Sequence, residues 1–418
     1  MRSSLSIMAA SVEPDLLDLP WNVALEEWPR DLIAALPRGI SRHTVRFVRL
    51  SGRIIAIKEI SELVAVREYE LLRTLKRLGA PSVEPVAVVS KRTDAEGNAL
   101  NACLITEHLP FSLPYRAIFG QQHRRATIAQ LIDGLAVLLV RLHLLGFFWG
   151  DVSLSNTLFR RDAGTFAAYL VDAETGELYS PITQRKREYD IDVARTNIIG
   201  ELMDLQAGGV LPEDFDTIGV GDTFSDRYFE LWEEITAQVA IGPDEKWKVT
   251  ERVRRLNDLG FDVDEIAIDS GPDEDRLLIQ PKIVEAGHYS RKVWRLTGLD
   301  VEENQARRIL NDIDEYAALH NKSGKSDMMI GHDWLADVYE PTVAAIPPEL
   351  TAKLEPAELF HEILEHRWFI SEDQQRDVPQ AEAVASFVEK VLRHRRDEST
   401  FLDGETTGEI PAVTATPE

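Results

Sequence analysis

A lysine embedded in an apolar strand is the feature that most constrains this chain. Residues 54–58 read Ile-Ile-Ala-Ile-Lys, and alternation along a strand places Ile54, Ala56 and Lys58 on one face. In that setting, either the aliphatic part of the lysine side chain extends so that the ammonium group reaches water, or a carboxylate binds the ammonium group. The strand alone leaves both alternatives open, so any partner has to come from elsewhere in the chain.

The segment after this strand offers a carboxylate. Ser61 is a suitable N-cap for a helix over residues 62–78, which Gly79 ends. The apolar positions follow the helical period and enclose one acid, Glu68; they are Val64, Leu71, Leu72, Leu75 and Leu78. Because an unpaired buried charge is costly, Glu68 needs a partner, and Lys58 is the candidate. A lysine held in this way presents its ammonium to nucleotide phosphates. The alternative is an exposed helix whose register is shifted by one residue.

The order of elements predicts an α+β fold. Two strand-like runs at 43–50 and 53–60 form a hairpin, the helix follows, and further strands are expected at 83–90 and 100–107. The chain then becomes mostly helical, so we expect a small β-rich lobe joined to a larger helical lobe. A second, mainly helical unit with a β-hairpin follows. The predicted divisions are an N-terminal extension (1–36), the two-lobed domain (37–242), a C-terminal α+β domain (243–395) and a disordered acidic tail (396–418).

Three oxygen-bearing side chains occur in an order that indicates metal binding and proton transfer. Asp151 and Asn156 lie five residues apart on a loop that follows an apolar helix. Two β-prone runs around residues 162–164 then return the chain to Asp172, which should lie beside Asn156. An Asp at this position can accept a proton from an attacking hydroxyl, and the Asn and Asp oxygens suit Mg²⁺. Each residue alone is as well explained by a solvated loop.

Charge and cysteine content exclude several classes of function. The formal net charge of −25 repels a nucleic-acid backbone and argues against general attraction to anionic lipid headgroups. Cys103 is the single cysteine and fits a reducing cytoplasm. The most apolar window, 131–149, is interrupted by Asp133, Arg141 and His143, so it is expected to be a buried core helix. We therefore expect a cytoplasmic protein without a transmembrane segment or nucleic-acid partner.

The site residues together resemble a known superfamily. Lys58, Glu68, Asp151 with Asn156, and Asp172 are similar to the strand lysine, helix glutamate, catalytic loop and metal aspartate of protein-kinase-like enzymes. The pairs Arg67-Glu68 and Leu142-His143 are closer to bacterial lipopolysaccharide kinases and aminoglycoside-phosphotransferase-like proteins. That likeness covers about residues 38–209. The whole chain also resembles an actinobacterial family known as domain of unknown function 4032, through residues 150–159 and 172–177 and the later 354–358 and 361–362.

The resemblance implies further roles. Glu107, His108 and Leu109 would form the hinge between lobes, where backbone groups meet adenine, and Asp192 would brace the catalytic loop from beneath. The stretch that would cover the phosphates, 38–43, has a single glycine, so Arg42 or Arg38 would have to substitute by charge. The chain departs from the protein-kinase pattern at two further places. Trp149 stands in place of a histidine, and Ala173-Glu174 stands in place of Phe-Gly after Asp172.

Two other patterns lie in the second half of the chain. His361 and His366 are five residues apart, whereas the HExxH zinc motif needs four, so a core-packing helix is the better interpretation. A basic cluster, His288, Arg291, Lys292 and Arg295, is a solvated face, a docking surface for an acidic or phosphorylated protein partner, or a surface that docks on the acidic kinase-like unit of the same chain. Trp294 within it is expected to anchor the cluster to the core.

The leading prediction is a two-lobed phosphotransferase that binds ATP and Mg²⁺. Asp151 would act as base, Lys58 clamped by Glu68 would position the phosphates, and Asn156 with Asp172 would hold the metal. The acceptor is an unspecified hydroxyl on a sugar, lipid, small metabolite or protein. The alternative is a pseudokinase that keeps the fold and works as a nucleotide-binding or interaction module.

Overall fold

The computed structural model describes residues 5–34, 43–50, 52–121, 125–242, 244–245, 247–270, 277–322 and 324–399. They form a small sheet-rich lobe, a helical lobe and a C-terminal domain in chain order. This is the α+β, two-lobed arrangement that the sequence predicts, followed by the expected mainly helical domain.

The small lobe is a six-stranded sheet with one long helix. Its elements are β1 (Ser6–Ala9), β2 (Ile33–Ala34), β3 (Thr44–Leu50), β4 (Arg53–Ile60), α1 (Glu62–Arg77), β5 (Pro85–Ser90) and β6 (Ala102–Glu107). The strand order is β1-β5-β6-β4-β3-β2, and β3 pairs with β4 as the predicted hairpin. Helix α1 begins after Ser61, although the Ser61 side chain makes no capping hydrogen bond.

The N-terminal residues belong to this lobe. Strand β1 pairs with the edge of β5, and Trp21 and Trp28 are buried against the sheet face that α1 does not cover. The buried Arg92 side chain holds them there, because it donates to the Trp21 carbonyl at 3.0 Å and to Glu59 at 2.6 Å. Residues 5–34 therefore complete the small lobe, where the sequence had indicated a separate extension.

The helical lobe carries a second, three-stranded sheet that supports the site. Its elements are β7 (Ser112–Pro114), α2 (Tyr115–Gln121), α3 (Arg125–Leu144), β8 (Phe147–Phe148), β9 (Thr157–Asp162), β10 (Thr165–Leu170), β11 (Glu177–Leu178), α4 (Gln184–Ala207) and α5 (Thr217–Thr236). The three-stranded sheet has the order β10-β9-β7.

Helix α3 is the apolar helix that the sequence predicts. Residues 126–144 are long and apolar enough to cross a membrane, with a mean hydropathy of 1.6, yet the helix packs against β10 and α5. Gly134 explains the close approach to β10, because an added Cβ would lie 2.6 Å from the Phe166 carbonyl oxygen. The helix ends at Leu144, and the chain then forms β8, so the last residues of the apolar window lie beyond the helix.

The C-terminal domain combines a small antiparallel sheet with seven α-helices of the described chain. Its elements are β12 (Val239–Ile241), α6 (Trp247–Asp258), β13 (Phe261–Ser270), β14 (Leu277–Ala286), α7 (His288–Thr297), α8 (Glu303–Leu319), α9 (Asp327–Trp334), a π-helical segment (Leu335–Tyr339), α10 (Glu340–Ala344), α11 (Pro356–Gln374) and α12 (Gln380–Lys390). Strand β12 pairs with β14, so this sheet begins before the predicted boundary at 243. At the other end, Glu398 is buried, so residues 396–399 belong to the body; residues 400–418 of the expected tail lie outside the described ranges.

Polar contacts join the C-terminal domain to the tip of the β9–β10 hairpin. Arg160 contacts Glu302 at 3.1 Å and Glu355 at 2.6 Å. The buried Asp162 carboxylate accepts from the Gln305 backbone N–H at 2.8 Å and from Asn304 Nδ2 at 2.9 Å. Burial raises the pKa of Asp162 to about 8, and the nearby Glu302 charge adds to this effect. The junction is therefore built from buried acids as well as ion pairs.

This junction predicts a pH dependence of stability. Because the folded protein raises the pKa of Asp162 from 3.8 to about 8, the stability it contributes is complete below pH 3.8 and is lost as the pH rises through about 8. The melting temperature should therefore fall between pH 6 and pH 9. In Asp162→Asn the fall should be smaller, since the amide does not ionise, while Glu355 and Glu362, whose pKa values burial raises to about 7, still contribute. Differential scanning calorimetry of both proteins checks this, and an identical fall would contradict it.

Candidate active site

The predicted pair of Lys58 and Glu68 is present. Lys58 lies on β4 and Glu68 on the buried face of α1, with 3.2 Å between Lys58 Nζ and Glu68 Oε2. The same ammonium donates to Asp172 Oδ2 at 2.8 Å, although the two residues are 114 positions apart in the chain. The small lobe and the loop after β10 therefore meet at one partly buried ammonium group.

The charges of this cluster control its protonation. Burial alone would lower the pKa of Lys58, but Glu68 and Asp172 outweigh it and hold that pKa above its ordinary value. Burial raises the pKa of Glu68 to about 7, and the Asp172 charge adds to it, against the lowering effect of Lys58. Lys58 thus stays cationic at neutral pH and is fixed in place.

A third carboxylate, Glu174, belongs to the same cluster and was missed from the sequence. Its Oε2 lies 3.2 Å from Lys58 Nζ and 3.0 Å from His43 Nε2. Glu68, Asp172 and Glu174 each offer an oxygen within 4.8 Å of the others, the one such group found among the described residues that could hold a metal ion. Oxygen donors of this kind suit Mg²⁺. The sequence signal was the acid two positions after Asp172, which was not assigned to the site from the sequence.

The β9–β10 hairpin brings Asn156 and Asp172 together as expected. Thr157 pairs with Leu170, and the Val171 N–H donates to the Asn156 carbonyl at 3.0 Å. The side-chain amide nitrogen of Asn156 donates to the Asp151 carbonyl at 3.0 Å and to Asp151 Oδ2 at 3.1 Å. The structure therefore places Asp151, Asn156 and Asp172 around the same hairpin base.

Asp190 braces the loop that carries Asp151, and the prediction that Asp192 does so was wrong. Asp190 is fully buried on α4 and accepts from the backbone N–H groups of Trp149 at 2.8 Å and Gly150 at 2.7 Å. It also lies 3.1 Å from His143 Nε2. Asp192 is exposed, because two positions along a helix turn its side chain to the opposite side. The buried face of α4, which continues through Ala194, Ile198 and Leu202, was the signal that would have selected Asp190.

Further contacts of the loop were also missed. Glu201 on α4 accepts from the N–H groups of Leu154 at 2.8 Å and Ser155 at 2.9 Å. Trp149, which stands where such loops usually carry histidine, donates its indole N–H to the Asp172 carbonyl at 2.9 Å. The loop that carries Asp151 is thus tied directly to the loop that carries Asp172.

The predicted hinge lies between β6 and β7. The His108 N–H donates to the Ile54 carbonyl at 2.9 Å, and the Ser112 hydroxyl donates to the Leu109 carbonyl at 2.7 Å. Glu107 contacts Arg53 at 3.3 Å, and burial lowers the pKa of His108 to about 4. These residues connect the two lobes as expected.

Other residues singled out from the sequence are placed differently. Arg38 and Arg42 lie outside the described residues. His361 is buried on α11, as a core helix requires, and His366 instead contacts Ser386 at 3.0 Å. On α7, Val293 is buried while Trp294 is 61% exposed, so Trp294 does not anchor the basic cluster to the core.

Comparisons with known proteins cover both halves of the chain. Residues 49–197 match the model of the lipopolysaccharide kinase (Kdo/WaaP) family, and residues 230–392 match a domain of unknown function, DUF4032. The DUF4032 match covers a shorter segment than the whole-chain likeness expected from the sequence. No curated protein matches the chain. A solved structure described as "WaaP in complex with acyl carrier protein" is 17% identical, with a TM-score of 0.37, over 61% of this chain and 99% of that chain. The chain thus joins a kinase-like region, similar to the lipopolysaccharide kinase (Kdo/WaaP) family, to a region similar to DUF4032.

Proposed function

We propose that this protein is a phosphotransferase that uses Mg-ATP to phosphorylate a hydroxyl group. The observation that carries the proposal is the contact of Lys58 with both Glu68, at 3.2 Å, and Asp172, at 2.8 Å. A fixed ammonium beside oxygen ligands is the arrangement that positions nucleotide phosphates and neutralises their charge. The match of residues 49–197 to a kinase family supports the same chemistry.

Asp151 is the proposed base. Its carboxylate would orient the acceptor hydroxyl and take its proton as the phosphoryl group is transferred. The Asn156 amide nitrogen at 3.1 Å holds one carboxylate oxygen of Asp151 in place. Asp190 and Glu201 keep the loop rigid through its backbone N–H groups, which serves catalysis because positioning supplies much of the rate.

The proposed metal ligands are Asp172 and Asn156, with Glu174 as an additional carboxylate. Among the described residues, both side-chain hydrogen bonds of Asn156 use its amide nitrogen, so its amide oxygen is available for a ligand role. Bound Mg²⁺ would neutralise charge on the ATP phosphates. Lys58 contacts the carboxylates of Asp172 and Glu174, which are also proposed metal ligands. Some of these carboxylate oxygens would therefore contact the metal and others the ammonium group.

The remaining parts of the proposal concern the substrates and their surroundings. Backbone groups at Glu107, His108 and Leu109 would meet adenine, and the C-terminal domain would govern the choice of acceptor or dock a partner protein. A cytoplasmic location, where ATP is abundant, belongs to the same proposal. A metabolite screen for a phosphorylated product would identify the acceptor, and ATP binding without any transfer would instead favour the pseudokinase function.

Ligand-dependent stability tests this proposal. ATP with Mg²⁺ at about 100 times its Kd should stabilise the wild-type protein by about 2.7 kcal/mol. In Asp172→Ala the stabilisation by ATP should no longer depend on Mg²⁺, because a metal ligand is removed. A thermal-shift titration with and without Mg²⁺ measures both effects, with Glu96→Ala, an exposed acid on the small lobe, as the matched control.

Two outcomes would count against the proposal. If millimolar Mg-ATP gives no shift in the wild-type protein, nucleotide binding is excluded. If Asp172→Ala keeps the wild-type dependence on Mg²⁺, Asp172 is not a metal ligand.

A further inference from the structure

The last described residues of the chain form a strap, residues 395–399, that leaves the C-terminal domain. Arg395 contacts Glu362 on α11 at 2.6 Å. The backbone N–H groups of Glu398 and Ser399 donate to the Ala352 carbonyl at 3.0 and 2.8 Å. These bonds fix the strap to the C-terminal domain.

The strap also contacts two segments of the kinase-like region. Glu398 pairs with Arg161 on β9, with 2.9 Å both to Arg161 Nη2 and to Arg161 Nε. The Ser399 carbonyl accepts from the Phe111 N–H at 3.4 Å. Phe111 lies just after the hinge and has a left-handed φ of 56°, which is strained for a residue other than glycine and has to be held by its surroundings. One short segment thus links the hinge side of the cleft to the hairpin that carries the proposed metal ligands.

The Arg161–Glu398 ion pair requires both partners, because the Glu398 carboxylate is buried. Glu398 is 6% exposed, so its carboxylate depends on Arg161 for compensation. Removing one partner from a buried pair leaves an uncompensated charge, which is strongly unfavourable. A paired, bidentate arginine also fixes direction as well as distance. The pair therefore holds the strap in a defined position.

We propose that Arg161 and Glu398 are positioning residues for the nucleotide site. Their ion pair seats the strap, the strap holds Phe111, and Phe111 sets the position of the hinge relative to the hairpin base at Asn156 and Asp172. The adenine and phosphate ends of the nucleotide would bind to these two places, so the C-terminal domain tunes nucleotide affinity. This inference rests on the proposed function.

The test compares full-length Glu398→Gln, Arg161→Gln and the double variant with Glu382→Gln, which breaks an exposed ion pair with Arg376 in the same domain. At 20 °C, where the variants are folded, Glu398→Gln should weaken Mg-ATP binding roughly tenfold, the usual scale of coupling between sites. The double variant should be no weaker than Arg161→Gln, because both changes break one contact. In the ligand-free protein, amide exchange of a peptide spanning 105–115 should become faster in Glu398→Gln and stay unchanged in Glu382→Gln.

The outcomes separate the two proposals. A lower melting temperature with unchanged ATP affinity and unchanged exchange at 105–115 would show a purely structural pair and overturn this inference. Wild-type protein that fails to bind Mg-ATP overturns the proposed function and the positioning role with it. Wild-type binding together with wild-type affinity in Glu398→Gln overturns the positioning role alone.

Discussion

Replacing Asp151 by Asn is expected to lower the rate of phosphoryl transfer by roughly 10²- to 10⁴-fold, the usual share of a general base. The amide keeps the shape of the side chain but cannot accept the hydroxyl proton. ATP affinity should change little, because in the proposed site Asp151 would act on the acceptor and Lys58 would contact the phosphates. Release of ADP measures the rate, and a binding titration measures the affinity.

Lys58→Met is the matched variant for this experiment. It should weaken ATP binding, because it removes the ammonium that faces Glu68 and Asp172. Asp151→Asn should instead lower turnover with little change in ATP affinity, so the two variants should differ in which quantity changes. If Asp151→Asn transfers phosphate at the wild-type rate, Asp151 is not the base.

Replacing Asp190 by Ala should be the most damaging change to the loop. It leaves the Trp149 and Gly150 N–H groups without their acceptor, and each stranded buried group costs about 1–3 kcal/mol. Two such groups together cost about 2–6 kcal/mol, which lowers the melting temperature by roughly 4–24 °C in a domain of this length. At 20 °C the turnover of the folded fraction should fall on the order of 10²-fold, because the loop that carries Asp151 loses its support.

Asp192→Ala is the internal control for that prediction. Asp192 lies on the same helix but is exposed, so its replacement should change stability by less than about 0.5 kcal/mol. Calorimetry and turnover of the two variants give a direct comparison. Equal effects at the two positions would contradict the role given to Asp190.

The sequence predicted those parts of the site that depend on local periodicity. The alternation of side chains along residues 54–58 placed Lys58 on one face of a strand, and Glu68 lies within the apolar stripe of one helix. A core-facing carboxylate ten residues from a lysine on an apolar strand leaves few alternatives, and the pair forms as expected. The hairpin that returns Asp172 to Asn156 was predictable for the same reason, since a short turn fixes its register.

Contacts between distant segments were not predictable in this way. Asp190 and Asp192 look alike in sequence, and only the rotation of α4 against the loop decides which one accepts the Trp149 N–H. Glu174 lies beside Lys58 because two loops meet there. The N-terminal residues join the sheet through β1, a short strand without a distinctive pattern.

The amino-acid sequence by itself determined the α+β class, the β3–β4 hairpin with Lys58, the helix with Glu68 and the hairpin that returns Asp172 to Asn156, because each depends on neighbours within a helix, strand or turn. The tertiary structure decided which acid braces the loop, which third carboxylate faces Lys58, and how the C-terminal domain reaches Arg161 from Glu398 across 237 residues. The physical reason is that these contacts arise only when separate surfaces dock, and docking depends on the shape and charge of both partners at once.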